Sequence, residues 1–180
     1  MNLNLSRSWN VLSWNVRGVN ASWKWNAIRD KVVEAACAIV CFQETKRDHF
    51  DLQFLRHICP ADFDSFECLP SVGASGGILV AWKSALFAGE LLFSNEFALS
   101  VEFTSLHNNA NWILTCVYGP CTADRKQTFV DWMKDIHMPD GVDWIILGDL
   151  NLMRKPETET DQGATFLKCL CSMMQLAPWG

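Results

Sequence analysis

The longest wholly apolar run in the chain covers residues 35–42, eight residues that stop at Gln-Glu-Thr-Lys. A helix needs about 20 such residues to cross a bilayer, so this run is not a membrane span. Its last five residues, 38–42, lack polar alternation and read as a strand buried on both faces. Such a strand needs something apolar over each face, and that constrains the fold more than any other feature. The preceding stretch supplies one cover. Trp25, Ile28, Val32 and Ala35/Ala36 recur at helical spacing, which predicts an amphipathic helix over 24–36. Residues 8–16, rich in Val, Leu and Trp, predict a strand ending at Arg17-Gly18. The chain therefore opens as a β-α-β unit.

Downstream, Gly73-Ala-Ser-Gly-Gly77 is a turn feeding a strand at 78–82, with further strands expected at 90–93, 98–104 and 112–117. Thr122 stands where it would cap a helix whose apolar face is Phe129, Trp132, Met133 and Ile136. Residues 143–147 predict another buried strand, stopped by Gly148. Residues 165–176 predict a last helix, with Phe166, Leu170, Met173 and Met174 on one face. Strands separated by helices at both ends, with a meander between, point to sheets sandwiched by helices. No repeat or linker divides the 180 residues, so one domain is expected. The sequence stops at Pro178-Trp-Gly180 without a closing strand.

Composition narrows the function classes. Fifteen basic against twenty acidic residues leave a net charge of −5. A protein that coats nucleic acid carries a basic surplus, whereas an enzyme that binds phosphates locally with the help of a cation need not. The eight cysteines include no Cys-x-x-Cys pair, a spacing unsuited to zinc, and several lie in apolar strand-like runs. They read as reduced core residues of an intracellular protein. The first ten residues contain no apolar block of the kind that opens a signal peptide. Nine tryptophans against one tyrosine imply a core built on indole surfaces and single out Tyr118.

Polar residues that follow directly on buried strands are where an α/β fold gathers its ligand contacts. Four places qualify: Asn15, Glu44, Tyr118, and Asp149 with Asn151. Singly each has a plainer reading: Asn15 as a turn cap, Glu44 as a solvated carboxylate, Tyr118 as a strand residue. Together they form a chemical set. A carboxylate with amide oxygens offers hard ligands for Mg²⁺. A second carboxylate, Asp149, can orient or deprotonate an attacking water, while Asn151 and the Tyr118 hydroxyl can donate to phosphate oxygens. The inventory fits metal-assisted hydrolysis of a phosphate ester. It includes no Gly-x-Ser-x-Gly elbow, P-loop or dinucleotide fingerprint.

Five segments then occur in a familiar order: Ser13-Trp-Asn-Val-Arg-Gly-Val-Asn20, Cys41-Phe-Gln-Glu-Thr-Lys46, Gly73-Ala-Ser-Gly-Gly-Ile-Leu-Val-Ala-Trp82, Val117-Tyr-Gly-Pro120 and Gly148-Asp-Leu-Asn-Leu-Met-Arg-Lys-Pro156. Their sequence resembles the endonuclease/exonuclease/phosphatase superfamily, and within it the endonuclease domain of plant LINE-type (non-LTR) retrotransposon polyproteins. The resemblance implies a four-layer α/β sandwich, two mixed sheets flanked by helices, over residues 9–180 and lacking its final strands. It implies one divalent cation, Mg²⁺ with Mn²⁺ as a substitute, at the sheet tips. Glu44 would be the metal ligand and Asn15 would support it or bind phosphate. Tyr118 would contact the scissile phosphate, and Asp149 with Asn151 would position water and phosphate.

Two departures accompany the likeness. Arg17 stands where many repair-type relatives carry an aspartate, and the family's closing aspartate and Ser-Asp-His segment are absent from these 180 residues. The histidines at 49, 57, 107 and 137 match no motif and read as ordinary surface or helix residues. Three functions stay open: a Mg²⁺-dependent DNA-nicking endonuclease, a non-catalytic remnant or domesticated module, and a small-substrate phosphatase. For the first, DNA is the expected partner, with no membrane or obligate protein partner, and the nucleus the place of action. The basic pairs Lys46/Arg47, Arg125/Lys126 and Arg154/Lys155 each follow a site motif and are candidates for backbone phosphate contacts, or are solvated loops.

Overall fold

In the computed structural model, β1 (Asn10–Asn15) and β2 (Ile39–Gln43) pair in parallel, Asn15 beside Gln43. Helix α1 (Trp25–Glu34) crosses between them, preceded by a 3₁₀ turn at Ser22–Lys24. The structure describes residues 9–73, 76–137 and 140–152 and the backbone of 174–175. The first sheet has the order β3-β4-β2-β1-β9, with β3 (Ser65–Leu69), β4 (Ile78–Trp82) and β9 (Met174–Gln175). The second has the order β5-β6-β7-β8: β5 (Phe87–Asn95), β6 (Ala98–Ser105) and β7 (Asn111–Tyr118) form an antiparallel meander, and β8 (Asp143–Asp149) lies parallel to β7. Helix α3 (Ala123–Asp135) makes that second parallel crossover.

Side-chain alternation assigns each face to a layer. Leu12, Val40, Phe42, Leu79 and Ala81 face α1 and α2 (Leu52–Ile58), where Ile28, Val32, Phe54, Leu55 and Ile58 are buried against them. The alternate residues Val11, Ile39, Cys41, Ile78, Val80 and Trp82 face the second sheet and meet Phe87, Leu99, Val101, Phe103, Trp112 and Leu114. Beyond the second sheet, Phe97, Ala98 and Val117 pack on Phe129 of α3. The result is a four-layer α/β sandwich of two mixed sheets. Burial on both faces explains why β2 and β4 read as continuous apolar runs. Among the described residues the second sheet ends on β8, and Ile146, Leu150 and Leu152 are exposed there.

Several expected elements shift. The expected helix over 24–36 forms as Trp25–Glu34, and the strand at 78–82 forms with the expected bounds. The 90–93 strand is longer, Phe87–Asn95, because it pairs with β6 along its length around an irregularity between Leu91 and Phe93. Gly148 does not stop β8. The strand runs through it to Asp149, because at φ +141° its missing Cβ would lie 1.9 Å from the Val117 carbonyl oxygen. Only glycine lets β8 stay paired to β7 there.

Thr122 does occupy the cap position of α3, but its side chain bonds no helix amide; its hydroxyl meets the Asp124 carboxylate instead. Ile136 leaves the helix in an extended conformation, so the helical face stops at Trp132 and Met133. Of the helix expected at 165–176, the described residues Met174–Gln175 are strand, antiparallel to β1 at Asn10 and Val11. An apolar Met pair suits a helix face or a strand equally, and the open edge of β1 decides. The remaining positions of that helix lie outside the described residues. Helix α2 and strand β3 were not anticipated. Asp51 caps α2 by accepting the Phe54 N–H at 2.6 Å, a signal legible in Asp-Leu-Gln-Phe.

Candidate active site

Both parallel strand pairs end on the same side of the sandwich, and their C-terminal ends carry the polar residues. Asn15 closes β1, Glu44 follows β2, Tyr118 closes β7 and Asp149 closes β8. The register places Asn15 beside Gln43 and Tyr118 beside Asp149, so each pair of tips is level. The two tips are bonded to each other: Asn15 Nδ2 donates to Asp149 Oδ2 at 2.7 Å. Asp149 Oδ1 accepts the Asn151 backbone N–H at 3.1 Å, and Asn151 Nδ2 donates to the Gly119 carbonyl at 2.7 Å. Asn151 adopts φ +49°, which folds its side chain back onto the end of β7.

Glu44 lies on a strained corner, with φ +55° at both Glu44 and Lys46. Backbone bonds on both sides hold the corner. Gly18 and Val19 donate to the Glu44 and Thr45 carbonyls at 2.7 and 2.9 Å, and Thr45 and Lys46 donate to the Gly77 and Gly76 carbonyls at 3.1 and 3.0 Å. A Cβ on Gly77 would stand 2.3 Å from Thr45 Oγ1, so glycine there is what allows the close approach. The Glu44 carboxylate is half-buried and forms an ion pair with Lys46 Nζ at 2.9 Å. Burial works to raise its pKa, but hydrogen bonds from Lys46, Asn15 and Tyr118 outweigh this and hold it below the ordinary glutamate value. Tyr118 moves the other way. Burial, the Cys121 thiol 3.6 Å from its hydroxyl, and the Glu44 charge keep the phenol protonated.

Asn15, Glu44, Tyr118, Asp149 and Asn151 therefore share one cluster, assembled from both sheets. Lys46, expected to meet phosphate, points its ammonium at Glu44. Arg47 donates to the His49 carbonyl and to Asn20 Oδ1, and its guanidinium lies over the Phe54 ring, 3.7 Å from the centroid. Arg125 pairs with Glu96, and Lys126 is half-buried on α3. Arg154 and Lys155 lie outside the described residues. The sequence reading missed three contributors. Gln43 is buried between the sheets, where its Nε2 bonds Ser13 Oγ at 3.0 Å beneath the cluster; strand parity from Cys41 would have placed it there. Gly77 was read only as a turn residue feeding β4, and Cys121 carried no local signal. Among the described cysteines Cys37, Cys41, Cys59 and Cys116 are buried as expected, but Cys121 is exposed beside Tyr118.

Among the described residues no three His, Cys, Asp or Glu side chains converge as a metal cage. The donor chemistry nevertheless fits a hard divalent cation. Mg²⁺ keeps several waters and takes only one or two carboxylates from protein, and Glu44 supplies a charged carboxylate to which the Asn15 amide donates, while the Asn15 amide oxygen accepts the Arg17 N–H at 3.1 Å. No helix among the described residues is long and apolar enough to cross a membrane.

No family model matches the chain, nor does any curated protein. Solved structures do. The AP endonuclease LMAP of Leishmania major is 19% identical with a TM-score of 0.63, covering 88% of this chain and 60% of that one. TDP2 of D. rerio, solved with a single-strand DNA product, is 15% identical with a TM-score of 0.57, covering 82% and 62%. An endonuclease/exonuclease/phosphatase family protein of Bacteroides thetaiotaomicron is 14% identical with a TM-score of 0.57, covering 81% and 64%. The chain thus spans less than two thirds of the length of each of these three, and at such identities the likeness is one of fold. Two stacked mixed sheets between helices, with the polar cluster at their tips, give this chain the fold of structures in the endonuclease/exonuclease/phosphatase superfamily.

Proposed function

We propose that this chain is a divalent-cation-dependent phosphodiesterase that nicks DNA, of the LINE-type endonuclease branch. The observation that carries the reading is the cluster itself: one charged carboxylate, one protonated phenol, one doubly hydrogen-bonded aspartate and two amides at the tips of both sheets. A bound Mg²⁺ would lower the pKa of a water and neutralise charge on the phosphate. Glu44 and Asn15 are the residues to hold it: Glu44 stays ionised as the charged ligand, and Asn15, whose amide hydrogen-bonds Glu44, supports it.

The other residues have roles that follow from their protonation and partners. Tyr118, kept neutral, donates a hydrogen bond to a phosphate oxygen rather than accepting a proton. Asp149 is oriented by Asn15 and by the Asn151 backbone, and its carboxylate takes a proton from the attacking water. Asn151 uses one of its amide hydrogens on Gly119 and keeps the second for phosphate. The like fold of a DNA-bound TDP2 and an AP endonuclease supports DNA as substrate. The five motifs in order support the LINE branch, which a reading frame continuing into reverse-transcriptase motifs would test.

A second reading, a binding module without turnover, is favoured by one observation. Among the described residues no histidine contacts the cluster: His57 stacks on Trp25 and His137 meets the Asp135 carbonyl. Loss of an acid or base group costs about 10²–10⁴ in rate. Nicking of supercoiled plasmid separates the readings. Nicking that requires Mg²⁺, stops with EDTA and falls by about 10²–10⁴ in Asp149→Asn supports the enzyme. Intact plasmid from folded protein, or nicking that survives Glu44→Ala, rejects it.

A further inference from the structure

One side chain on the loop that follows β1 has no role in the chemistry above. Trp23 is 79% exposed, whereas the other described tryptophans are buried or half-buried. It stands on the 3₁₀ turn Ser22–Lys24, and that turn is fastened to the site. Asn15 Oδ1 accepts the Arg17 N–H at 3.1 Å, and Lys24 Nζ donates to the Arg17 and Gly18 carbonyls at 2.9 and 3.4 Å. Trp25 Nε1 donates to the Val19 carbonyl at 2.7 Å, closing the same loop from the other side. The indole of Trp23 is therefore presented by a braced loop, and the Lys24 ammonium lies 5.5 Å from its centroid.

The surroundings are cationic, although the whole chain carries a net charge of −5. Arg17 is exposed on the loop, Lys24 holds its base, and Lys46 and Arg47 adjoin it through Asn20, which bonds the Lys46 carbonyl and the Arg47 guanidinium. Glu44, paired with Lys46, and the exposed Asp48 are the acids on that rim. An exposed aromatic face set among Lys and Arg is what unpaired nucleic acid binds: the ring stacks a base while the cations take the phosphates.

We propose that Trp23 is a stacking platform for an unpaired nucleobase flanking the scissile phosphate, with Arg17 and Lys24 contacting the adjoining backbone. The proposal rests on the phosphodiesterase reading and adds a subsite to it. Stacking of this kind is worth about 1–3 kcal/mol per base, or roughly 5- to 150-fold in affinity. It is also insensitive to salt, unlike a phosphate contact.

The test is fluorescence anisotropy with a labelled oligo-dT 12-mer and with a duplex of equal length, in EDTA so that neither is cut. Trp23→Ala is expected to weaken single-strand binding about tenfold or more at unchanged salt slope. Trp23→Phe restores most of it, and Lys24→Gln lowers the salt slope by about one. Duplex binding by Trp23→Ala should change far less than single-strand binding. Equal single-strand affinity in Trp23→Ala and wild type, or equal weakening on both probes, overturns the platform. Wild-type protein that hydrolyses a small phosphodiester but binds no oligonucleotide also overturns it and leaves the hydrolase reading standing. Wild-type protein that does neither removes both.

Discussion

Asn15 and Asp149 are 134 positions apart and bonded at 2.7 Å, Nδ2 to Oδ2. Each is the last residue of a strand in a parallel pair, one in each sheet. Their bond makes the two sheets share one polar tip, and it fixes the face that Asp149 presents, because Asn151 occupies the other carboxylate oxygen.

That bond should appear as coupling. A hydrogen bond to a charged group is worth about 1.5–3 kcal/mol. In urea unfolding, Asn15→Ala and Asp149→Ala are expected to be non-additive by about 0.5–3 kcal/mol. Additivity within about 0.3–0.5 kcal/mol would show that the contact contributes nothing to holding the sheets together.

The glycine pair before β4 offers a comparison within one turn. Gly76 and Gly77 both have positive φ, +79° and +87°, but a Cβ on Gly76 meets nothing within 4 Å while one on Gly77 stands 2.3 Å from Thr45 Oγ1. Backbone strain costs about 1–3 kcal/mol in either alanine variant. Gly77→Ala must additionally push on the Thr45–Lys46 corner, so it should melt lower than Gly76→Ala by a few degrees. Equal melting temperatures would mean that the corner yields freely and does not fix Glu44.

Asp64 links the start of β3 to the turn after β4. Its carboxylate accepts the Ser84 N–H at 2.8 Å and the Ser84 hydroxyl at 2.7 Å, and those donors lower its pKa below the ordinary aspartate value of 3.8. A carboxylate with a depressed folded-state pKa contributes stability above its unfolded pKa and loses it as pH falls through the folded one. Asp64→Ala should therefore be less stable than wild type at pH 7, by about 1 kcal/mol at most since the group is exposed. The gap should narrow as pH falls below 3.8 and through the depressed folded-state pKa. A gap that does not narrow on acidification would point to packing rather than charge.

Thiol reactivity should follow burial. The Cys37 thiol is pushed up to about 11 by desolvation, and Cys41 and Cys59 are raised by the same cause. Cys121 is exposed. A brief iodoacetamide pulse at pH 8, read by peptide mass mapping, should label Cys121 well before Cys37, Cys41, Cys59 and Cys116. Labelling of Cys41 as fast as Cys121 would mean that the sheets separate readily.

How much of this was legible in the sequence depends on the range of the cause. Strands β2, β4 and β7 were readable because burial on both faces writes a local apolar run, and α1 because one buried face writes a 3.6-residue period. The polar residues at the strand ends were readable for the same local reason: Asn15, Glu44, Tyr118 and Asp149 each interrupt an apolar run. Their identity as one cluster is a matter of register, set by the pairing of Asn15 with Gln43 and Tyr118 with Asp149. Only the tertiary structure decided that Lys46 meets Glu44, that Met174–Gln175 pair with β1 instead of forming a helix, that Gly148 continues β8, and that Cys121 reaches Tyr118. Each depends on what stands opposite in space, and a one-dimensional pattern records a residue's need for burial but not the partner that meets it.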